Sequence, residues 1–457
     1  MKFMQKNSSC RNKKSGSCDM LHRLLNLLKN EYIFSLFTKG LMVLIGLAES
    51  ALLARYLGAD LRGTLSYIYS ISATVYLIAT FGMYTAYPFM RKNSNEEPQK
   101  IINTFMTHMT VIFLFYAVVL IIPAVLLFDK ERILAIILIM IPVMGYDKIV
   151  SFIFMIESPN KTNRFTLISN IIQTLYLAVI LLFFRKSLLA GVFYYILGCF
   201  IKTAYFSYKL KMKVQLECFK LKTLIGYIKF GFFPMAALLL TTLNYRLDVI
   251  MLKQFDFITY TQIGVYSIGL GLSEKALLVP DAVKEVLLSK LAKGKGEEEE
   301  EVARVMRVCF LASIGTALCI QILGKFVLDI LYGSEYAGAE IVTYISVWGT
   351  TVMVFFKMVS QYNVIQHKQH LNVIFLTAAI LLNLAANMLL IPEMGINGAA
   401  LATDIGYLVS ALIFLIYFSK TANIKMHKLI LIQSDDVKIL KSMLSSDSVS
   451  DNGKISE

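Results

Sequence analysis

LNVIFLTAAILLNLAANMLLIPEMGINGAALATDIGYLVSALIFLIYF, residues 371–418, holds two continuously apolar runs, 371–391 and 396–418, separated by a Pro-Glu-Met-Gly turn. Each run has roughly the 20 residues that a helix needs to cross the hydrocarbon of a bilayer. Neither alternates polar with apolar, and each is about twice the length of a barrel strand. In lipid every backbone amide must bond within its own segment, so both runs are predicted to be helices. Glu393 and Asp404 are the only charged residues in the stretch, and Asp404 sits inside a span.

The same pattern recurs outward from this pair at 33–54, 65–87, 105–128, 133–156, 165–184, 188–208, 228–252, 262–288, 305–326 and 341–363. Twelve transmembrane helices are therefore expected. The composition agrees, with 57% hydrophobic residues against 17% charged and a mean hydropathy of +0.63. Too few charges remain to cover the surface of a soluble protein of 457 residues. The basic lead before the first run is too long for a cleavable signal, so that run reads as the first helix.

The net charge of +14 is topological rather than a nucleic-acid footprint, because the bases do not gather on one folded domain. Seven Lys and Arg lie in residues 1–32, five in 209–227 and six after residue 418, all on the side of the N-terminus. The positive-inside rule then places both termini in the cytoplasm of a multi-pass protein of the plasma or inner membrane. The predicted organisation is a basic N-terminal segment (1–32), a lobe of helices 1–6 (33–208), a basic linker (209–227), a lobe of helices 7–12 (228–418) and a cytoplasmic tail (419–457). The tail is read as partly disordered, with an amphipathic stretch at 424–440 placed on the inner leaflet. The acidic run at 297–301 is read as a solvated lead into the positive end of the next helix.

The halves resemble each other. GTLSYIYSIS from Gly63 parallels GVYSIGLGLS from Gly264, 201 residues on, and AGVFYYILG from Ala190 parallels NGAALATDIG from Asn397. Six helices per half give both halves one orientation, hence a pseudo-twofold axis along the membrane normal and a central cavity between two lobes.

Charges within spans carry the functional signal, since each costs about 2.5–3.5 kcal/mol at the bilayer centre even on the mildest scale. Lys39, Lys202, Lys229, Lys284, Glu285 and Lys357 lie close enough to span ends to snorkel. The deeper ones need a wet interior. Thr241, Asn244 and Asp248 share one stripe of the seventh helix, with Arg246 nearly opposite Asp248. Glu274, Asp281 and Glu285 form an acidic line on the eighth, while Asn383, Asn387, Asn397 and Asp404 add polar stripes on the last two. Plain interhelical hydrogen bonding is the competing account of the asparagines. Pro123, Pro142, Pro234 and Pro280 lie in spans and kink them. No cysteine pair or histidine spacing marks a metal site, no phosphate loop follows a strand, and no catalytic residue or cofactor is predicted.

ALLARYLGADLRGTLSYIYSIS at 51–72, YIKFGFFPMAALLLTTLNYRLDVIML at 227–252, IGVYSIG at 263–269 and NLAANMLLIPEMGINGAALATDIGY at 383–407 resemble, in order and spacing, the O-antigen and capsule repeat-unit flippases. These belong to the multidrug/oligosaccharidyl-lipid/polysaccharide exporter superfamily. The resemblance implies a V-shaped pair of six-helix lobes that moves a polyprenyl-pyrophosphate-linked oligosaccharide from the cytoplasmic to the outer leaflet for surface polysaccharide. It implies a transporter, not an enzyme, with membrane lipids, H+ or Na+ and a polysaccharide polymerase or assembly machinery as partners, and no nucleic acid. Arg246, Lys275, Lys148, Lys357, Asn244 and Arg55 are the expected substrate contacts. Glu274, Asp248, Asp404, Asp147 and Glu49 are the expected ion-coupling residues. Acids nearly balance bases within the spans, which departs from a strongly cationic cavity. The rivals are a multidrug or cation antiporter and a peptidoglycan-precursor or spore-envelope lipid flippase of the same superfamily. A membrane polymerase is disfavoured by the short outer loops.

Overall fold

The computed structural model describes residues 31–94, 96–183, 186–292 and 298–436. The described residues form helices and connections, in the order α1 (Glu31–Ala79), α2 (Ala86–Asn93), α3 (Pro98–Leu127), α4 (Arg132–Glu157), α5 (Pro159–Phe183), α6 (Leu188–Lys209), α7 (Leu221–Leu252), α8 (Tyr260–Ser273), α9 (Leu278–Ala292), α10 (Glu298–Leu331), α11 (Ala339–Ile365), α12 (Gln369–Met394), α13 (Ile396–Thr421) and α14 (Met426–Ile430).

Among the described residues ten helices are long and apolar enough to cross a membrane. Two departures from the expected elements account for the difference from twelve crossings. First, α1 contains two crossings that run together across Gly58, whose φ of 74° only glycine adopts without strain. Residues before it, such as Ser50, and after it, such as Tyr69, line the same cavity, so the chain folds back there. Second, the expected eighth span is broken into α8 and α9 by a tight 3-10 turn, Glu274–Leu277. Pro280 lies one turn further on and has no N–H to give the carbonyl of Ala276, which interrupts the α-helical ladder at that point.

The first six crossings form one lobe and the last six another. The N-lobe buries Phe105, Ile153, Phe154 and Phe206 in one cluster and Leu65, Met140 and Leu177 in a second. The C-lobe core gathers Met306, Val359, Phe414 and Phe418. Leu114, Phe115, Ile122 and Leu126 of α3 stay exposed, as a lipid-facing surface requires.

With twelve crossings, the first and last described residues, Glu31 and Asp436, lie toward one face of the bundle, called here the terminal face. On the opposite face the lobes meet where α1 crosses α8. A Cβ on Gly63 would lie 1.7 Å from the Tyr260 carbonyl oxygen, and one on Gly264 would lie 2.1 Å from that of Ala59. Only glycine lets the backbones come so close. Gly63 and Gly264 are the paired positions of the internal repeat, and Asp60 with Thr261, joined at 3.5 Å, has the same separation of 201. The pseudo-twofold axis thus passes through this crossing. A capping box fixes the start of α8 beside it, Gln262 N–H donating to Thr259 Oγ1 and Thr259 N–H to Gln262 Oε1.

The connection between the lobes is fastened rather than free. Gln99, Asn103 and Thr107, one helix stripe of α3, bond backbone groups of Leu210, Lys213 and Gln215, and Lys220 N–H donates to His108 Nε2 at 3.0 Å. The first turns of α7 also belong mechanically to the N-lobe, with Tyr227 against Phe105 and Gly231 against the Gly82 backbone. Beyond Pro234 the same helix buries Asp248 and Leu252 in the C-lobe.

The tail departs from the expected leaflet-bound helix over its described part. Leu429 is fully buried in the C-lobe core, and Asp436, 1% exposed, forms a bidentate pair with Arg307 at 2.6 and 2.9 Å. Burial alone would raise the Asp436 carboxyl. Hydrogen bonds from Arg307 and from the Gln433 backbone, with the Arg304 charge, hold it below the ordinary carboxylate range instead. The rest of the predicted amphipathic stretch, 437–440, lies outside the described residues. The acidic run is likewise tied down: Glu298 accepts from Gln366 and Glu299 from Tyr362, both at 2.7 Å, and Glu301 and Glu300 pair with Arg304 and Arg307.

Candidate functional site: a two-chambered cavity between the lobes

Two chambers of about 350 Å3 and 400 Å3 lie between the lobes and share Tyr69, Arg246, Glu274 and Lys275 in their walls. They adjoin across these residues. The first, nearer the α1–α8 crossing, is lined by Glu49, Arg62, Tyr194 and Tyr195 with Ser50, Ser66, Ser70 and Ser267. The second, toward the terminal face, is lined by Tyr76, Thr241, Tyr245, Asp281 and Lys357.

The folded-back α1 and α8 place this lining. Arg62, Ser66, Tyr69 and Ser70 follow each other at i, i+4, i+7 and i+8, one polar face on the second crossing of α1. The 3-10 turn at Glu274–Leu277 carries Glu274 and Lys275 into the wall between chambers. Arg246 lies 5.7 Å from the ring centre of Tyr69, which itself stacks on Tyr195 at 4.9 Å. Lys357 repeats the arrangement over Tyr245 at 5.5 Å. Each cation thus rests on a tyrosine face, and the hydroxyls around them supply neutral donors and acceptors.

Of the expected substrate contacts, Arg246, Lys275 and Lys357 come together here. Arg55 lies elsewhere: its guanidinium donates to the carbonyls of Ile330 and Leu331 at the C-terminal end of α10, satisfying orphan groups of a helix in the other lobe. Nearby contacts between the lobes include Tyr336 to the Ala54 carbonyl at 3.0 Å and Lys186 with Glu335 at 3.6 Å. Asn244 is 2% exposed, and its amide nitrogen and oxygen have no partner inside the C-lobe. Lys148 of α4 does not line either chamber.

The acids divide three ways. Glu49 and Glu274 face the cavity, and Glu49 accepts from Tyr194 and Thr174, each at 3.1 Å. Asp147 is held within the N-lobe by Lys202 at 3.0 Å and by Ser151 and Thr203. Asp248 is fully buried within the C-lobe, accepting from Tyr266 at 2.9 Å and Asn383 at 3.5 Å, with Asn387 bonded to Asn383 behind it. Asp404 presses against Gly349 with one carboxylate oxygen unpartnered. The opposite orientations expected for Arg246 and Asp248 are what the helix displays. Glu285's side chain lies outside the described residues.

Arg62 is the cavity residue that the sequence reading missed, because it fell in a connection between two expected spans. Its Nε and Nη1 are buried without a hydrogen-bond partner. The signal was present in its helical phase with Ser66, Tyr69 and Ser70, legible once the span is extended back to Gly58.

A family model described as polysaccharide biosynthesis protein matches residues 28–273. A search of the curated proteins finds no match. Among solved structures, an inward-facing multidrug-resistance MATE transporter superposes with a TM-score of 0.68 at 11% identity, covering 84% of this chain and 94% of its own. The lipid II flippase MurJ, in an inward closed conformation, gives 0.67 at 15% identity, with coverage of 91% and 93%. A transporter of the same superfamily from Pyrococcus furiosus gives 0.59 at 10%, with coverage of 88% and 96%. With a family match over more than half its length and this two-lobed, all-helical fold, the chain belongs to the polysaccharide biosynthesis protein family and has the fold of the multidrug/oligosaccharidyl-lipid/polysaccharide superfamily.

Proposed function

We propose that the protein is a flippase for lipid-linked oligosaccharide, working by alternating access, with its terminal face in the cytoplasm of a plasma or inner membrane. The observation that carries this reading is the cavity wall. Arg62, Arg246, Lys275 and Lys357 converge on a space also lined by serine and tyrosine hydroxyls. A pyrophosphate needs cations in a confined polar space, guanidinium forks above all. Sugars need hydroxyl partners and flat aromatic faces, which the same walls supply, while a polyprenyl tail can remain in lipid between the lobes. The family match over residues 28–273 supports the polysaccharide context. The protein acts on its cargo by moving it, and performs no bond chemistry.

In this reading Arg62, Arg246 and Lys275 hold the anionic head. Asp248, with Tyr266, Asn383 and Asn387 around it, and Asp404 beside it on α13, form the ion-coupling group inside the C-lobe. Coupling follows if a proton or sodium ion binds there in only one lobe arrangement, since a ligand shifts an equilibrium only by its differential affinity. Complementation in a flippase-null strain tests the proposal. Arg246→Ala together with Glu274→Gln is expected to abolish surface polysaccharide, and normal surface polysaccharide would refute it.

One observation favours a second reading. Glu49 and Glu274 stand among Tyr69, Tyr194 and Tyr195, an arrangement that suits an organic cation. Deletion that lowers drug resistance and leaves surface glycan intact would select this antiporter reading. Requirement for viability would select a peptidoglycan-precursor cargo.

A further inference from the structure

We infer that Asp281 is a built-in stand-in anion, holding Lys357 and Lys284 at the mouth of the cavity until the cargo's diphosphate displaces it. The inference rests on the lipid-pyrophosphate reading above and adds to it a first binding station, distinct from the Arg246–Lys275 station deeper in.

Lys357 sits on α11 between Phe356 and Met358, both buried, and its side chain is only 10% exposed. A cation so placed needs a counter-charge. Asp281, in the first turn of α9, provides it: the Lys357 Nζ donates to Asp281 Oδ1 at 2.6 Å, and Lys284 reaches the same oxygen at 3.1 Å. One carboxylate is thus shared by two ammonium groups, which leaves the trio one positive charge in excess. Unlike Lys357, the Asp281 side chain is 44% exposed. An anion arriving from the terminal face can therefore take its place without the lysines having to move.

The deeper station carries the same surplus. Arg62, Arg246 and Lys275 stand with Glu49 and Glu274 in the walls of the deeper chamber, three cations to two carboxylates. Lys357 rests on the ring of Tyr245, the chain neighbour of Arg246, so the stations adjoin on α7. Two adjacent sites of equal surplus charge suit translocation, because each binds firmly enough to fill and weakly enough to empty. The carboxylate also acts as a filter. A monoanion only exchanges one single charge for another at the trio, whereas a diphosphate brings more charge and more acceptor oxygens than the carboxylate it replaces.

The test measures binding of farnesyl pyrophosphate, farnesyl monophosphate and farnesol to the purified full-length protein in detergent. Wild type is expected to prefer pyrophosphate over both. Asp281→Asn is expected to tighten both anionic probes about three- to tenfold and to narrow the preference between them, the scale of a partly exposed ion pair released to a ligand. Lys284→Gln, at a half-buried side chain where glutamine keeps most of the length and a polar end, is expected to weaken pyrophosphate about two- to threefold. Affinities for the two anionic probes that Asp281→Asn leaves unchanged or weaker, or a pyrophosphate affinity that Lys284→Gln leaves unchanged, overturns the stand-in role while the flippase reading stands. A wild type that binds farnesol as tightly as farnesyl pyrophosphate overturns the lipid-pyrophosphate reading and this inference with it.

Discussion

Substituting Gly63 by alanine should force the lobes apart at the face opposite the termini. The new methyl group would fall 1.7 Å from the Tyr260 carbonyl oxygen, and ordinary contact begins near 3.4 Å. The obstructing atom is backbone, held by the capped first turn of α8, so it cannot swing aside as a side chain would. One helix must shift by about 1.7 Å, the shortfall from ordinary contact at that crossing. Overpacking of this kind costs about 1–3 kcal/mol. States in which the crossing has opened do not bear that cost, so their population relative to the closed state should rise roughly 5- to 140-fold at 1.4 kcal/mol per tenfold. The assay is a distance distribution between spin labels at positions 186 and 335, where Lys186 and Glu335 now lie 3.6 Å apart on exposed side chains. Labelling removes a pair that itself contributes little. Gly315→Ala is the control, since nothing lies within 4 Å of that position. If Gly63→Ala keeps the short-distance population of the control, the crossing does not govern closure and the reasoning is refuted.

Other consequences can be checked independently. Because the Asp436 carboxyl is held below its unfolded range, its contribution to tail docking is complete at neutral pH and is lost as pH falls through the lowered folded value. Limited proteolysis should show the tail cut faster under acid conditions, and Asp436→Asn should be cut fast already at pH 7. His108→Ala leaves Lys220 N–H without its acceptor and should cost about 1–3 kcal/mol, read as a lower melting temperature. It should also speed trypsin cleavage at Lys211, Lys213 or Lys220. Asp248→Asn should abolish the dependence of transport on an ion gradient while leaving farnesyl pyrophosphate affinity within about twofold, because Asp248 lies inside the C-lobe and away from the cavity wall.

Much of the architecture was legible because membrane helices announce themselves by length and continuous hydrophobicity, and because the repeat between Gly63 and Gly264 states the symmetry directly. The errors lie where short-range geometry overrides hydropathy. Gly58 turns the chain within one residue, which hydropathy reads as a longer connection that takes in Arg62. The 3-10 turn at Glu274 is invisible to a scan for apolar runs. The site was legible in kind, since charges in spans pointed to Arg246, Glu274 and Lys357, but not in arrangement. Helical phase tells which residues share a face, not which lobe that face meets. Arg55 is thus expected with Arg246 at the substrate and Asp147 with Glu274 among the coupling acids, whereas the structure ties one to the end of α10 and the other to Lys202.

The strap of α3 side chains on residues 210–220 bears on how such a protein can be taken apart. A chimera that joins the first half of this chain to the second half of a relative would naturally be spliced in the connection between lobes. A splice there would sever the bonds from Gln99, Asn103, Thr107 and His108, and it would hand the first turns of α7 to a partner that lacks Phe105 and Gly82 to receive them. The junction that respects the contacts lies within α7 near Pro234, where the helix passes from one lobe to the other. Exchange of halves at that proline should give a folded hybrid where exchange at the linker gives two damaged ones.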